Sequence, residues 1–257
     1  MTASFAVVIP ARYGSSRLPG KPLLDIAGKP MIRHVWERAM ESGAHEVVVA
    51  TDDERIAAAC RGFGASVSMT SGNHQSGTDR IAEVALGRDW LEDEIIVNVQ
   101  GDEPLLPSAL IGQVAQLLQF NPNAGIATLG TAIQGLEDYL NPNVVKFVSR
   151  ADGTALYFSR APIPWHRDGA AEGLSSQKRR QGSIRHLGLY ADRARALHQM
   201  AAASPCPLEE DERLEQLRAL WLGIEIQTDV ARHLPGPGVD TAEDLERVRS
   251  LVADSRQ

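Results

Sequence analysis

The sequence predicts an α/β protein in which a mostly parallel central sheet is covered by helices on both faces. Three observations predict this class. Short apolar runs alternate with amphipathic helical patterns over the first half of the chain, and a glycine follows several of these patterns. The chain has 257 residues, of which 43% are hydrophobic, so it is long enough to bury one large core. We therefore expect a single domain that spans residues 1–257.

The first half of the chain repeats a strand and a helix. The run from Phe5 to Ile9 is apolar and stops at Pro10, which is typical of a buried parallel strand that leads into a loop. The helical pattern that follows stops at Gly43. In the same way we expect strands at residues 5–9, 46–50, 65–69 and 94–99, and helices at 31–41, 53–63, 78–86 and 107–120. Ligands bind beyond the carboxyl ends of such strands, so the loops after Ile9 and Val99 are candidate sites.

The region from about Thr131 to Tyr190 has a different pattern. Apolar and polar residues alternate there, and we expect antiparallel strands that form a smaller lobe. The strand and helix order then returns, with helices at 193–203 and 208–220, a strand at 224–228 and a last helix from Thr241. Thr241 followed by Asp244 is a variant of the capping box that begins a helix.

Charge, cysteine content and hydropathy exclude several classes of protein. The formal net charge of −7 argues against nonspecific nucleic-acid binding, which needs a surplus of lysine and arginine. Cys60 and Cys206 lack the spacing of a zinc site or a disulfide framework. No apolar run has the length of a membrane span, and no basic segment precedes an apolar run at the N-terminus. We therefore expect a cytoplasmic protein without membrane insertion.

The loop after the first predicted strand carries three cations among small residues. Arg12, Arg17 and Lys21 lie in a segment that also contains Gly14, Ser15 and Gly20. Small residues let backbone N–H groups approach a phosphate chain, and the cations neutralise it, so the loop suits a nucleoside triphosphate. The spacing fits neither a Walker P-loop nor the GxGxxG of a dinucleotide fold. The alternative is a solvated surface loop with ordinary basic residues.

Two carboxylates follow glycine-containing turns. Asp102 comes after a very apolar strand, where magnesium would explain a carboxylate because this ion prefers carboxylate and phosphate oxygens. A helix N-cap would also explain it. Asp240 follows the glycine-rich turn at 236–239 and could equally cap the last helix together with Thr241. Spacing alone leaves both interpretations open.

Several segments together resemble one known family. Residues Ile9 to Pro22 and Val97 to Pro104 closely resemble the 3-deoxy-manno-octulosonate cytidylyltransferase family, also called CMP-Kdo synthetases. Further matching segments occur in family order along nearly the whole chain: SGTDR at 76–80, FSRAPIP at 158–164, HLGLY at 186–190, LEQLR at 214–218 and PGPGVDT at 235–241. The resemblance implies a Rossmann-like nucleotidyltransferase fold, CTP and 3-deoxy-D-manno-octulosonate (Kdo) as substrates, and magnesium as the cofactor.

The resemblance also assigns roles to individual residues. It implies that the CTP phosphates are bound by Arg12, Ser15, Arg17 and Lys21, that magnesium is bound by Asp102 and Asp240, and that Arg80 and Gln100 lie near the nucleotide. It implies that the sugar is bound by His186, Tyr190 and Gln216, with Gln100 close to the junction of the two substrates. The residues expected to act in catalysis are Arg12, Arg17, Lys21 and Asp102.

Strand and helix geometry bears on the residues of the sugar side. His186 and Tyr190 are four apart on a predicted strand, so they lie on one face. Glu215 and Gln216 are neighbours on a predicted helix and point about 100 degrees apart, so only one of them can face a ligand squarely. We expect Gln216 to be that contact. Asp192 departs from the family pattern, in which an aromatic residue is common.

We expect the anomeric hydroxyl of a 2-keto sugar acid to attack the α-phosphorus of CTP in line and to expel pyrophosphate. The ternary complex would hold two magnesium ions, one at Asp102 and one near Asp240. The alternatives are a CMP-sialic acid synthetase, a sugar-1-phosphate nucleotidylyltransferase, a glycosyltransferase and a ligand-binding module without activity. A glycosyltransferase should carry a DxD motif at the strand end, where this chain has Gly101-Asp102-Glu103.

The antiparallel lobe is also a candidate dimer contact. Exposed strand edges there, together with the apolar residues Ile163, Pro164 and Trp165, would suit a second copy of the chain. The resemblance points the same way, because members of the family form dimers. We therefore expect a homodimer that acts in lipopolysaccharide biosynthesis.

Overall fold

The structure, a computed structural model, describes residues 3–14, 18–74, 76–169, 173, 177 and 182–254. The strands are β1 (Ala6–Ala11), β2 (Asp25–Ile26), β3 (Lys29–Pro30), β4 (Glu46–Thr51), β5 (Ser66–Met69), β6 (Ile95–Asn98), β7 (Ile126–Ala132), β8 (Lys146–Ser149), β9 (Ala155–Ser159), β10 (Ile184–Arg193) and β11 (Ile226–Val230). The α-helices are α1 (Met31–Met40), α2 (Glu54–Gly62), α3 (Gly77–Gly87), α4 (Ser108–Phe120), α5 (Leu136–Leu140), α6 (Ala194–Ala202), α7 (Pro207–Glu212), α8 (Gln216–Trp221) and α9 (Ala242–Asp254). None of these helices is both long and apolar enough to cross a membrane.

One mixed sheet organises the chain, in the order β11-β7-β10-β6-β1-β4-β5. Strand β1 runs parallel to β4 and β6, β4 runs parallel to β5, and β11 runs parallel to β7. Strand β10 is antiparallel to both of its neighbours, β6 and β7. Strands β2 and β3 form a small antiparallel sheet of their own. The predicted α/β class with a mostly parallel central sheet is confirmed.

Both faces of the sheet are covered, which explains why its central strands are apolar throughout. In β1, Val7 packs with Ile32 of α1 and Val114 of α4 on one face. The next residue, Val8, packs with Ile81 of α3 on the other face. Successive side chains of a strand point to opposite faces, so a strand buried on both sides must be apolar at every position.

The antiparallel strands predicted between Thr131 and Tyr190 are present as β8, β9 and the first part of β10. Strand β8 pairs with both β9 and β10, all antiparallel. Since β10 also pairs with β6 and β7, these strands extend the central sheet. The sequence patterns did not locate β7 or the two-residue strands β2 and β3.

The single helix predicted at 208–220 is wrong. The chain forms α7 and α8 instead, separated by Arg213 in a left-handed conformation with φ of 53°. The side chain of Leu214 turns into the core at this break. A buried ion pair between Glu209 of α7 and Arg218 of α8, with Nη2 and Oε1 2.5 Å apart, ties the two short helices together. Such a tertiary contact across the break is not visible in a helical periodicity.

Candidate active site

A cavity of about 410 Å³ lies beyond the carboxyl ends of β1 and β6. The residues predicted to act on the nucleotide and the metal line it together: Arg12, Lys21, Arg80, Gln100, Asp102 and Asp240. Ser15 and Arg17, which were also predicted, lie outside the described residues. The cavity therefore gathers groups from four distant parts of the sequence, as expected for the carboxyl edge of a parallel sheet.

Close packing of two glycine-containing loops brings Asp102 and Asp240 into the same cavity. A Cβ atom on Gly101 would lie 2.9 Å from the carbonyl oxygen of Pro10, so only glycine lets this loop approach the end of β1. A Cβ atom on Gly236 would lie 2.5 Å from the side chain of Leu105. The backbone N–H of Val239 then donates to the carbonyl oxygen of Asp102 at 2.9 Å.

Lys21 lies between the two carboxylates. Its Nζ atom is 2.6 Å from Asp102 Oδ2, 3.4 Å from Asp240 Oδ1 and 2.9 Å from the carbonyl oxygen of Val239. The ammonium group thus neutralises two acids at once, in a place where most of its own side chain is buried.

The cap of α9 is made by other groups. The hydroxyl of Thr241 accepts from the backbone N–H of Asp244, and the Asp244 carboxylate accepts from the backbone N–H of Thr241. This reciprocal pair is the predicted capping box. The Asp240 carboxylate, in contrast, accepts from Lys21 in the cavity.

A third carboxylate next to this pair responds to its surroundings. Burial raises the pKa of Glu103 to about 7, and the neighbouring charges of Asp102 and Asp240 add to the increase. Glu103 lines the neighbouring cavity beside residues 234–238, while Asp102 and Asp240 line the main cavity, so acidic groups lie close together here and a bound cation would relieve their repulsion.

Arg80 is fixed at the cavity by the ends of two strands. Its guanidinium donates to the hydroxyl of Thr70, which follows β5, and pairs with Asp52, which follows β4, at 3.3 Å. Only 4% of Arg80 is exposed. Gln100 is held from the other side, where its Nε2 atom donates to Asn98 Oδ1 at 3.1 Å.

Sequence reasoning missed several polar residues near the start of α3. His74 and Ser76 line the main cavity, and the Ser76 hydroxyl caps α3 by accepting from the backbone N–H of Asp79. His74 in turn hydrogen-bonds to Glu83. The SGTDR segment already contained the N-cap serine, but the motif alone did not show that this helix end faces the cavity. Helix N-termini favour phosphate groups.

Tyr190 and Gln216 line a second, smaller cavity of about 200 Å³. Glu215 lines both cavities, so it lies at the boundary between them. The hydroxyl of Thr78 in α3 donates to Glu215 Oε2 at 2.5 Å, which fixes this boundary. Gln216 is the predicted contact, and its Nε2 atom is buried without a hydrogen-bond partner among the described residues.

His186 lies on the same face of β10 as Tyr190, as predicted, and their ring centroids are 5.2 Å apart. The two residues are separated by an irregularity of β10, where its register with β7 shifts. His186 lines another cavity, between β10 and the segment 234–238. Its ring packs edge-on against Phe147 and Phe158, and burial lowers its pKa to about 3. The imidazole is therefore neutral near pH 7.

The hydrogen bonds of Thr128 fix which nitrogen of His186 carries the proton. The Thr128 hydroxyl donates its one hydrogen to the carbonyl oxygen of Leu189 at 2.7 Å. The His186 Nε2 atom is 2.9 Å from the same hydroxyl oxygen, so it must donate. The Nδ1 atom of the neutral ring is then an acceptor.

The chemistry of the acid pair suits a hard divalent cation. Within the described residues, no group of three or more histidine, cysteine, aspartate or glutamate side chains is arranged to hold a metal ion. Asp102 and Asp240 supply one carboxylate each, next to the cations Arg12 and Lys21. Magnesium typically takes one or two protein carboxylates and completes its shell with phosphate oxygens and water, so this pair fits magnesium in the presence of a triphosphate.

Comparison with known proteins agrees with the geometry. The model of the cytidylyltransferase family matches residues 6–226. The chain is 56% identical over 253 residues to a 3-deoxy-manno-octulosonate cytidylyltransferase of Hahella chejuensis, covering 98% of this chain and 99% of the relative. It is 55% identical over 252 residues to the enzyme of the same name from Pseudomonas syringae pv. tomato, covering 98% and 99%.

A solved structure is similar over the whole chain. It is that of a CMP:2-keto-3-deoxy-manno-octonic acid synthetase complexed with CTP, with a TM-score of 0.87 and 44% sequence identity. The match covers 98% of this chain and 100% of the other. Fold, cavity and sequence identity thus lead to one assignment: this chain belongs to the cytidylyltransferases, in the 3-deoxy-manno-octulosonate cytidylyltransferase family.

Proposed function

We propose that this protein transfers the cytidylyl group of CTP to 3-deoxy-D-manno-octulosonate (Kdo) and so forms CMP-Kdo and pyrophosphate. The anomeric hydroxyl oxygen of Kdo forms a bond to the α-phosphorus, the bond from the α-phosphorus to the bridging oxygen breaks, and pyrophosphate leaves. The hydroxyl proton passes to solvent. Relatives of this name at 54% identity and above, covering nearly the whole chain, support both substrates.

The observation that carries the proposal is the convergence of Lys21, Asp102 and Asp240 in the main cavity. The Lys21 ammonium, with its acid partners close by, is placed to exchange a carboxylate for a phosphate oxygen when CTP enters. Arg12 lines the same cavity with an exposed side chain and adds a second cation. Two fixed cations stabilise the charge that develops on pyrophosphate as it leaves.

Asp102 and Asp240 are the residues that would hold magnesium. When bound there, magnesium supplies neutralisation of the phosphate oxygens and a lower pKa for the attacking hydroxyl. The chain itself orients the groups. The Val239 N–H bond to the Asp102 carbonyl oxygen keeps the two acidic loops in register, and Lys21 prevents the carboxylates from repelling one another before the substrates arrive.

The sugar would occupy the space beside the nucleotide that Glu215 and Gln216 border. Gln216 Nε2 is a buried donor without a partner among the described residues, and Tyr190 lines the same cavity. His186 Nδ1 supplies an acceptor on the other side of the Tyr190 ring. A polyhydroxylated substrate needs such donors and acceptors, because burying a hydroxyl without a partner costs about 1–3 kcal/mol.

The test is pyrophosphate release from the purified chain. We would measure it with CTP, UTP or ATP, with Kdo, N-acetylneuraminate or no sugar, and with magnesium or excess EDTA. Release that needs CTP, Kdo and magnesium together supports the proposal. Release with N-acetylneuraminate would assign the protein to the sister reaction, and no release from folded protein would overturn the activity.

Three further properties are part of the proposal. The product would serve lipopolysaccharide biosynthesis, in the cytoplasm where CTP is made, and the chain would act as a homodimer. Leu156 of β9 is 53% exposed and Trp165, in the segment after β9, is 44% exposed, which leaves apolar side chains for contact with a second copy.

A further inference from the structure

Asp192 lies in the second cavity in a position that the reaction described so far does not use. It is on β10, between Ile96 of β6 and Ile126 of β7, and only 7% of it is exposed. Among the described residues, no group donates a hydrogen bond to its carboxylate. Its oxygens are not among the fully buried unpartnered atoms and Asp192 lines the second cavity, so the donor that a carboxylate in this setting needs must come from what occupies that cavity.

The groups around this cavity restrict what can bind there. Asp192 and Glu215 present carboxylate oxygens, which accept hydrogen bonds. Gln216 presents an Nε2 donor that is buried and unpartnered within the described part of the chain. A bound carboxylate or phosphate would be repelled by the two acids, and an ammonium group could not accept from Gln216. A hydroxyl both donates and accepts, so it can donate its one hydrogen to Asp192 and accept from Gln216, while Glu215 already accepts from Thr78.

We infer that Asp192 is a specificity-determining residue that accepts a hydrogen bond from a hydroxyl in the polyol tail of the sugar acceptor, while Gln216 donates to the same tail. The inference rests on the proposed function, because the tail belongs to the acceptor that enters beside CTP. Glu215 lines both the main cavity and the second cavity. A sugar whose reacting end lies beside CTP in the main cavity can therefore extend its tail past Glu215 to Asp192.

The electrostatic surroundings of Asp192 are consistent with this role. Burial, followed by the charge of Glu215, raises the pKa of Asp192 to about 7. Tyr190 lines the same cavity, Arg213 lines it with an exposed side chain, and Arg218 near Glu215 is engaged by Glu209. No cation within the described residues is paired with Asp192, so a ligand hydroxyl is the donor that would relieve it.

The experiment compares Asp192→Asn with the wild-type protein on Kdo and on a series of Kdo analogues that each lack one tail hydroxyl. The KM for Kdo should rise up to about tenfold in the variant, because the neutral Oδ1 atom of asparagine accepts a weaker hydrogen bond than the charged carboxylate does. The KM for CTP should stay within about twofold, since the triphosphate groups are untouched. For one analogue, the wild type and the variant should show the same KM, because the lost hydroxyl is the one that Asp192 binds.

Glu225→Gln is the matched control, since Glu225 is an exposed carboxylate before β11 that lines none of the cavities. The melting temperature distinguishes binding from folding: removal of a buried, unpaired charge should leave it unchanged or raise it. If Asp192→Asn fails to fold, Asp192→Ala is measured in its place.

An equal rise in KM for Kdo and for every analogue would overturn the inference, as would a rise in the KM for CTP of the same size. If the wild type releases pyrophosphate from CTP and Kdo while the folded Asp192 variant keeps its KM for Kdo, the inference fails and the proposed function stands. If the folded wild type releases none, the proposed function fails first.

Discussion

The hydroxyl of Thr78 donates to Glu215 Oε2 at 2.5 Å, across 137 positions of sequence. Thr78 is in the first turn of α3, whose N-terminus faces the nucleotide cavity, and Glu215 directly precedes α8 at the sugar side. This one bond therefore links the two halves of the site. Under the proposed function, this bond would position Glu215 between the nucleotide and the sugar acceptor.

Thr78→Val removes the hydroxyl and keeps the shape of the side chain. Glu215 then loses its donor, and we expect the KM for Kdo to rise about tenfold, the effect of losing one hydrogen bond to a charged group. The KM for CTP should change less, because Lys21 and Arg12 are unaffected. Steady-state pyrophosphate release at varied Kdo and varied CTP separates the two. Thr78→Ser, which restores the hydroxyl, should recover most of the loss.

Lys21→Met should lower kcat/KM by about 10²–10³-fold, the usual effect of losing one charged group that stabilises the transition state. The physical reason is double: the phosphates lose a cation, and Asp102 and Asp240 lose the group that neutralises them. Lys29→Met is the control, since Lys29 pairs with Glu37 on the surface, outside the cavity. Full activity in Lys21→Met would remove Lys21 from the proposed site.

Most of the fold could be predicted because the buried central strands are continuous apolar runs in the sequence. Val7 and Val8 face opposite cores, so the run had to be apolar, and this is visible without a structure. The break at Arg213 could not be predicted, because it depends on an ion pair between α7 and α8. Local periodicity contains no information on such a contact.

Some residues of the candidate site could likewise be predicted from the sequence, and others could not. Lys21, Asp102 and Asp240 lie in glycine-rich loops whose composition and motif resemblance identified them, and the structure brings them together. For Asp192, the sequence shows only that it departs from the family pattern and predicts no role. Its proposed role depends on a cavity formed with Glu215, which directly precedes α8 and is distant from β10 in the sequence. Proximity of this kind arises only after folding.

Asp192→Asn should also change how stability depends on pH. The pKa of Asp192 is raised from 3.8 to about 7, so its contribution to stability is fully present below about pH 4 and is lost as the pH rises through 7. At 1.36 kcal/mol per pKa unit, the free energy of unfolding of the variant, relative to that of the wild type, should increase by roughly 2–3 kcal/mol from pH 5 to pH 8. Glu103, whose pKa is raised in the same direction, is present in both proteins and cancels. Urea unfolding at pH 5 and at pH 8 measures the free energy of unfolding of both proteins. The same difference between them at both pH values would contradict a raised pKa of Asp192.

Trp165→Glu should produce a monomer of half the wild-type mass if the antiparallel strands form the dimer contact. The substitution places a charge on an exposed apolar residue of the proposed contact, and burying an unpaired charge in an interface is unfavourable. Light scattering after size-exclusion chromatography gives the mass directly. Trp221→Glu, on a residue that is 61% exposed in α8, is the control and should leave the mass unchanged. A wild type that is already monomeric would contradict the proposed homodimer.

Thr128→Val tests the tautomer of His186. In the wild type the Thr128 hydroxyl donates to the Leu189 carbonyl oxygen, so His186 Nε2 must donate to Thr128. Nδ1 is left as an acceptor, which under the proposed function would bind a sugar hydroxyl. Valine removes this constraint, so only part of the ring population keeps Nδ1 as an acceptor, and the KM for Kdo should rise by the reciprocal of that fraction, about twofold for an even mixture, with little change in kcat. The ¹⁵N chemical shifts of the ring should report Nε2–H in the wild type and a mixture in the variant, whereas Thr128→Ser should retain both the tautomer and the KM. A wild-type ring protonated at Nδ1 would contradict the arrangement, because the hydroxyl of Thr128 has one hydrogen and cannot donate to both Leu189 and His186.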